Sequence, residues 1–313
     1  MKNKIKRVRL QQRDILLFDY LFRHRVAVAK VIHRDVFNDY KSLKCTRVRL
    51  NRLMRAGYIQ AKYFNLESRD KCYRLTSSTV KRFIDFSKNA YIWKGTNSPN
   101  HDINLIEIWR SLKNREKIEY MLTEHEYNVR DNLKCTEARM NLGDLRPDGY
   151  LEIRIGGKSF KAALEYERSS KTKPRYLDLI DRYYRNKNIK AVFYISEHEG
   201  TQKQVQNSEL EYRTRCQEPK FFYALRDSIN ENDTIRFRSV GSKEYQIDFK
   251  LSVVPTVSET TVSTKQITMQ SIENIRKTIV TKFFDENPSS PLCREYNNKP
   301  QTNINEAGGL NGN

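Results

Sequence analysis

The sequence predicts a mixed α+β or α/β protein, in which a basic helical segment precedes a larger domain built on a mixed sheet. Apolar residues recur at helical spacing through most of the first 56 residues. Farther on, a Gly-Gly pair at 156–157 joins two runs that have the character of β-strands. A helical pattern and the apolar run Ala191–Ile195 follow, so hairpin, helix and strand together predict a β-β-α-β core.

Positive charge is concentrated in the N-terminal third. The 313 residues include 58 Lys+Arg and 38 Asp+Glu, a formal net charge of +20. Residues 1–90 hold 23 basic and 7 acidic residues, a net charge of +16, whereas residues 251–313 hold 6 of each. Such an uneven distribution is typical of a protein whose N-terminal part binds a polyanion.

The length allows two domains, each with its own core. We predict a DNA-binding domain at residues 1–86, a linker at 87–100 that is rich in Lys, Asn, Ser and Gly, and a second domain at 101–252. Residues 253–313 shift to Thr, Ser, Asn and Pro and are predicted to be a largely disordered polar tail, with one short helix at Ser271–Phe284.

The N-terminal patterns predict a winged helix-turn-helix. Three helices are expected at Asp14–Phe22, Val26–Phe37 and Leu43–Ala56, with Gly57 as the stop signal of the third. A wing hairpin at Lys62–Thr76 and a connecting helix at Val80–Phe86 complete the domain.

The third helix has the composition of a recognition helix, and we predict that its partner is double-stranded DNA. Guanidinium groups suit phosphates and guanine edges, an amide suits adenine, and a small apolar side chain suits the thymine methyl group. The predicted contacts on this helix are Arg47, Val48, Arg49, Asn51, Arg52 and Arg55, and those on the wing are Arg69, Lys71 and Arg74. The alternative is a solvated cationic helix face; the charge of the surrounding segment favours DNA.

The remaining elements follow from periodicity and turn signals. Before the Gly-Gly hairpin we expect a helix at His101–Leu112, a strand at Lys117–Leu122 and a loop or strand at Tyr127–Leu133. After the hairpin we expect a helix that starts near Pro174, a helix at Gln202–Glu211 and a strand at Lys220–Leu225. The last predicted element is a hairpin at Ile235–Leu251 that turns at Gly241-Ser242.

The Gly-Gly hairpin brings acidic residues together. If Ile155 and Lys158 flank the turn, Asp148 lies opposite Glu165, and strand alternation puts Glu167 on the same face. Clustered carboxylates of this kind suit Mg²⁺ or Mn²⁺. The alternative is a solvated face whose acids pair with the nearby basic residues Arg146, Lys161 and Arg168.

The run Arg146-Pro147-Asp148-Gly149, followed by Glu165-x-Glu167-Arg168, resembles the signature of restriction-endonuclease-like nucleases. It is more closely similar to the replication-relaxation family of plasmids and integrative elements, which includes MobC-type mobilisation relaxases. The resemblance covers roughly residues 10–200 and implies a winged helix followed by a nuclease-like domain.

The resemblance implies that the protein nicks or relaxes DNA at an origin and that this activity depends on Mg²⁺ or Mn²⁺. It also implies that other mobilisation or replication proteins are partners. Asp148, Glu165 and Glu167 would hold the metal and activate water, and His101 matches a histidine of the family's early helix. A lone His at a helix start is otherwise a cap or a core residue. The lysine that usually follows the second acid by two residues is replaced by Glu167, and among Lys171, Lys173 and Arg182 we expect Lys173 to take its place.

Other readings of the sequence stay open. Without the lysine, the second domain could keep the fold and lack activity, which would make the protein a DNA-binding regulator or relaxosome accessory. Tyr176, Tyr183 and Tyr184 offer a covalent mechanism, although aromatic residues at this spacing are usually core and no His-hydrophobic-His motif accompanies them. An initiator with two winged helices would need a second helix-turn-helix pattern, which the sequence after residue 100 lacks.

Several function classes are disfavoured by composition. The five cysteines form no CxxC pair, so neither a zinc site nor a disulfide framework is expected. No apolar run approaches the length of a membrane span, and no Gly-rich phosphate loop followed by Lys-Ser/Thr is present. We therefore expect a cytoplasmic protein without a membrane partner.

Overall fold

The computed structural model describes residues 8–63, 70–84, 98–213, 218–241 and 244–251. All of them belong to one compact unit, Met1–Thr256. The described part is a mixed α and β structure with a small three-stranded sheet and a larger seven-stranded one. The predicted tail at 253–313 lies outside the described residues, as does the linker up to residue 97.

The first part of the chain, which we call the head, comprises residues 8–84. Its elements are α1 (Gln12–His24), β1 (Ala27–Val28), α2 (Ala29–Asp35), α3 (Leu43–Arg55), β2 (Ile59–Tyr63), β3 (Lys71–Leu75) and α4 (Ser77–Phe83). The strands are antiparallel in the order β1-β3-β2. The helix predicted over Val26–Phe37 is wrong in its first turn, because Ala27 and Val28 pair with Tyr73 and Cys72 as a strand.

The second part, which we call the sheet domain, comprises residues 98–251. Its elements are α5 (Pro99–Leu112), β4 (Ile118–Thr123), α6 (Glu124–Val129), α7 (Leu133–Leu142), β5 (Gly149–Ile155), β6 (Lys158–Glu167), α8 (Lys173–Arg185), β7 (Ala191–Ser196), α9 (Glu199–Tyr212), β8 (Phe221–Leu225), β9 (Ile235–Arg238) and β10 (Gln246–Phe249). The strand order is β10-β9-β8-β7-β6-β5-β4. Strands β6, β7 and β8 are parallel and the other pairs antiparallel, so the sheet is mixed as predicted.

The segment between β4 and β5 differs from its prediction. Tyr127–Leu133, expected to be a loop or a strand, instead contains the end of α6 and the start of α7. The signals for both helices are local: Thr123 and Glu126 form a capping box, and the Asn132 side chain accepts a hydrogen bond from the Cys135 amide at 2.9 Å. The periodicity of apolar residues did not reveal α6 and α7, because both helices are short.

Apolar residues cover both faces of the large sheet. Helix α5 packs on one face through Leu105, Ile108 and Trp109. Helices α7, α8 and α9 pack on the other face, together with buried tyrosines of β5, β7 and β8. A third cluster fills the head and includes Ile106 and Val129 of the sheet domain, so the two parts share apolar contacts.

Candidate functional site

The Gly-Gly hairpin has the predicted register. Ile155 pairs with Lys158 and Gly149 pairs with Leu164, and both turn glycines have positive φ (57° and 79°). The register therefore places Asp148, which directly precedes β5, beside Glu165 of β6. Gly149 is required here, since an added Cβ would lie 2.3 Å from the Trp109 ring.

Asp148 is held by hydrogen bonds on both sides. One of its carboxylate oxygens accepts from the Tyr166 amide at 2.8 Å, and its backbone carbonyl accepts from the Glu124 amide at 3.0 Å. The preceding carbonyl, that of Pro147, accepts from the Tyr127 hydroxyl at 2.7 Å. The Pro-Asp pair is therefore fixed by β6 and by α6.

Glu165 and Glu167 point to the same face of the sheet. Glu165 accepts a hydrogen bond from the Tyr183 hydroxyl of α8 at 2.6 Å, and Glu167 accepts one from the Tyr194 hydroxyl of β7 at 3.5 Å. Both tyrosines belong to the same apolar cluster. The expected placement of Glu165 and Glu167 on one face of β6 is therefore confirmed, whereas the three acids do not form a single three-ligand group within the described residues.

The three acids line one cleft of about 490 Å³. Its walls also carry basic and hydroxyl side chains, and its full lining is Ser98, His101, Arg146, Asp148, Glu165, Tyr166, Glu167, Arg168, Ser169 and Lys171. A cleft lined by both acids and cations can hold a phosphate group close to carboxylates.

The carboxyl group of Glu165 is strongly perturbed. Burial, and next the negative charge of Asp148, raise its pKa to about 8, while the Tyr183 hydrogen bond and the charge of Lys171 oppose that rise. A carboxylate pair in which one member resists ionisation is ready to take up either a proton or a cation. Perturbed acids in a cleft mark candidate functional sites.

His101, in the first turn of α5, lies between two carboxylates. Its Nε2 atom is 3.5 Å from Asp148 and its Nδ1 atom is 3.5 Å from Asp102. Burial opposes the charge of the ring, but hydrogen bonds to Asp102 and Asp148 outweigh it and raise the pKa of His101 to about 10. The ring is therefore cationic at neutral pH. The sequence indicated His101, whereas Asp102 was missed although it is the next residue.

The lysine prediction needs correction. Lys173 lies at the start of α8 as expected, but its amine pairs with Glu211 at 2.6 Å and its side chain is 61% exposed, away from the cleft. The lysine that lines the cleft is Lys171, whose amine pairs with Glu167. Thr172 is the N-cap residue of α8 and Lys173 is its first residue, so Lys171 belongs to the segment between β6 and the helix. Arg168 also lines the cleft, next to the second acid.

The acidic side chains of the cleft determine whether a metal ion could bind there. Within the described residues, no group of three or more His, Cys, Asp or Glu side chains is arranged to hold a metal ion. Glu167 faces Lys171 instead of its two acidic neighbours. Asp148 and Glu165 remain as a pair, which suits Mg²⁺ because that ion is usually held by one or two carboxylates together with waters and substrate phosphates.

The exposed face of α3 is basic. Buried Thr46, Leu50 and Leu53 form its inner face, and the Ser42 side chain caps its start. Besides Cys45, the exposed side chains recur at helical spacing and are Lys44, Arg47, Val48, Asn51, Arg52 and Arg55. Five of the six predicted contacts on this helix are therefore on one exposed face, and Lys44, which was not among the predicted contacts, extends that face.

Arg49 does not belong to that face. Its guanidinium donates to Asp14 of α1 and, at 3.0 Å, to the carbonyl of Arg9, and its side chain is only 11% exposed while Asp14 is fully buried. The prediction that Arg49 contacts DNA is corrected: this residue ties α3 to α1. An arginine at this helix position was indistinguishable from its neighbours without knowledge of the buried acid on α1.

On the β2–β3 hairpin, Lys71 is exposed and its amine lies 5.2 Å from the centre of the Tyr63 ring. Arg74 is half-buried, and Arg69 lies outside the described residues. Tyr63 is 65% exposed and was not among the predicted contacts. The hairpin thus presents an aromatic ring and a cation beside α3.

Comparison with known proteins gives no further guide: no family model matches the chain, and no curated protein or solved structure has significant similarity to it. Among the described residues, no helix combines the length and apolar character needed to cross a membrane.

Proposed function

We propose that this protein binds double-stranded DNA through the head and cleaves a phosphodiester bond in the cleft of the sheet domain. The observation that carries the proposal is the pairing of Asp148 and Glu165 in a cleft that also holds Arg168 and Lys171. The helical head with its β-hairpin is interpreted as a winged helix. The sheet domain is interpreted as restriction-endonuclease-like, because Asp148 and Glu165 lie side by side at the open end of the β5–β6 hairpin, and β6 also pairs in parallel with β7.

The residues of the cleft take distinct roles in this proposal. Asp148 and Glu165 hold Mg²⁺ or Mn²⁺, which when bound lowers the pKa of a water molecule and neutralises charge on the phosphate. His101 orients Asp148 by charge. Lys171 and Arg168 hold the phosphate oxygens by charge-assisted hydrogen bonds, and Lys171 replaces Lys173 as the lysine of the site.

DNA recognition is proposed to use the exposed face of α3. Arg47, Arg52 and Arg55 would contact phosphates or guanine edges, Asn51 would contact adenine, and Val48 would contact a thymine methyl group. Val48 is 45% exposed on an otherwise polar face, where an apolar side chain could contact a thymine methyl group.

The biological setting is inferred from the resemblance alone. We infer a protein of the replication-relaxation type, which nicks or relaxes DNA at an origin during plasmid mobilisation or replication, with other proteins of those processes as partners. A covalent tyrosine mechanism is disfavoured, because Tyr176 and Tyr183 are buried and Tyr184 donates to Glu209 at 2.6 Å. An attacking hydroxyl must reach the substrate.

A second candidate function is a DNA-binding regulator with an inactive sheet domain. It is favoured by one specific observation: the acids of the cleft do not form a three-ligand metal group within the described residues.

Conversion of supercoiled plasmid to the open-circular form separates the two functions. In Mg²⁺ the wild-type protein should nick the plasmid, and Asp148→Asn should abolish nicking while DNA affinity is unchanged. Asp144→Asn, on a side chain that is 91% exposed, is the matched control. A wild-type protein that binds DNA but never nicks it, in Mg²⁺ or Mn²⁺, would establish the regulator instead.

A further inference from the structure

The short helix α6 joins the head to the backbone of Asp148. We propose that α6 is a positioning element, through which docking of the head fixes Asp148 in the cleft, and that Arg25 is a positioning residue of the acid pair. The consequence for catalysis rests on the proposed function, whereas the structural coupling does not.

The head contacts α6 and its flanks through a row of ion pairs. Three arginines, one at the end of α6 and two at the end of α1, make these pairs with acids of the other part: Arg25 with Glu124, Arg23 with Glu126 at 3.0 Å, and Arg130 with Asp19. The Thr123 hydroxyl donates to the Arg23 carbonyl at 3.0 Å.

Apolar packing accompanies these ion pairs. The ring of Phe22, at the end of α1, lies 4.7 Å from that of His125, and Val129 belongs to the apolar cluster of the head. Phe22 is fully buried and His125 nearly so. The buried ring contact and the ion pairs, most of whose side chains are partly shielded from solvent, together hold α6 against the head.

The other side of α6 holds the Pro-Asp pair. As described above, the Glu124 amide donates to the Asp148 carbonyl and the Tyr127 hydroxyl to the Pro147 carbonyl. Glu124 therefore receives the Arg25 guanidinium with its side chain and holds Asp148 with its backbone. A shift of the head would move α6, and α6 would carry the acid with it.

Two features at this contact indicate a role other than stability. Arg25 has φ of +64°, a conformation that costs a non-glycine residue about 1 kcal/mol or more. Beside it is a cavity of about 30 Å³, lined by Arg25, Asp102, His125 and Asp148 among others. Within the described residues, Asp102 Oδ2 and His125 Nε2 are buried there without a hydrogen-bond partner. Backbone strain of this kind is often found at functional sites, where the surrounding structure holds it in place.

Arg25→Gly tests the coupling, since glycine accepts the backbone conformation of this position while the side chain and its guanidinium are removed. Amide hydrogen exchange reports on Asp148 directly, because the Tyr166 amide donates to its carboxylate. We expect the Tyr166 and Glu124 amides to exchange about tenfold faster in Arg25→Gly, with the melting temperature preserved. Arg13→Ala, which removes an ion pair with Asp39 within the head, is the control and should leave both amides unchanged.

The charge-swapped double variant Arg25→Glu with Glu124→Arg should restore protection that each single change removes. In the plasmid assay, Arg25→Gly should lower kcat with DNA affinity unchanged. Wild-type protection of the Tyr166 amide in Arg25→Gly would overturn the coupling, and so would an equal loss of protection throughout the sheet domain. Absence of nicking by the wild-type protein would refute the proposed function alone, because the exchange result would still decide the coupling.

Discussion

Replacement of Glu165 by glutamine should make the protein more stable, and increasingly so as the pH rises. The amide oxygen of Gln can still accept the Tyr183 hydroxyl, which is 2.6 Å from the carboxylate, so the change removes charge while it keeps the hydrogen bond. The substitution removes the cost of keeping a negative charge buried and close to Asp148. Burial and the charge of Asp148 are the two main causes that raise the pKa of Glu165 from 4.5 to about 8.

Proton linkage determines the direction and the size of this stability change. The folded chain holds the Glu165 proton more tightly than the unfolded chain does. The wild-type protein therefore loses stability as the pH rises from 4.5 through about 8. At about 1.4 kcal/mol per pH unit, the loss has an upper limit of about 5 kcal/mol, which is reached above pH 8. Because the side chain keeps some contact with solvent, we expect a gain of about 2 kcal/mol for Glu165→Gln.

Urea unfolding, followed by circular dichroism in the presence of a chelator, measures this gain at a series of pH values. The difference in free energy of unfolding between Glu165→Gln and the wild-type protein should be small near pH 5, rise towards pH 8 and level off above it. Glu199→Gln, on a side chain that is 70% exposed, should show no such trend. A difference for Glu165→Gln that does not change with pH would refute the argument that burial and Asp148 perturb this carboxyl group.

Two further predictions concern the head. Arg52→Ala and Arg55→Ala should each weaken DNA binding, since each removes one cation from the exposed face of α3. Fluorescence anisotropy at several salt concentrations should show that each change lowers the magnitude of the slope of log K against log salt concentration by about 1. An unchanged slope would exclude phosphate contacts by these residues. Arg49→Ala should instead destabilise the fold by about 3 kcal/mol in thermal or urea unfolding, because it leaves the fully buried Asp14 without its ion-pair partner; a loss of DNA affinity at full stability would return Arg49 to the DNA-contacting face.

The sequence was most informative where a local signal determines geometry. Gly156-Gly157 fixed the hairpin register, because a two-residue turn with positive φ at both positions leaves one pairing, and that pairing put Asp148 beside Glu165. The apolar spacing of α3 located its buried face and, by difference, most of its exposed face. In both cases the relevant interactions are between residues close in sequence.

Interactions between distant segments could not be read in the same way. Arg49 was placed on the wrong face because its partner, Asp14, lies 35 residues away on another helix. Lys173 was preferred to Lys171 because the path of the two residues before α8 depends on how the helix packs against the sheet. The role of α6 was invisible for a similar reason, since its partners Arg23 and Arg25 lie about a hundred residues earlier.

The most direct test of the account is a calorimetric Mn²⁺ titration of the wild-type protein, Asp148→Asn and Glu165→Gln at one pH. If the two acids form a single cation site, the wild-type protein binds Mn²⁺ and either substitution removes that binding while the fold is retained. Equal binding by all three proteins, or none by the wild-type protein even with DNA present, would contradict the claim that Asp148 and Glu165 act as one site.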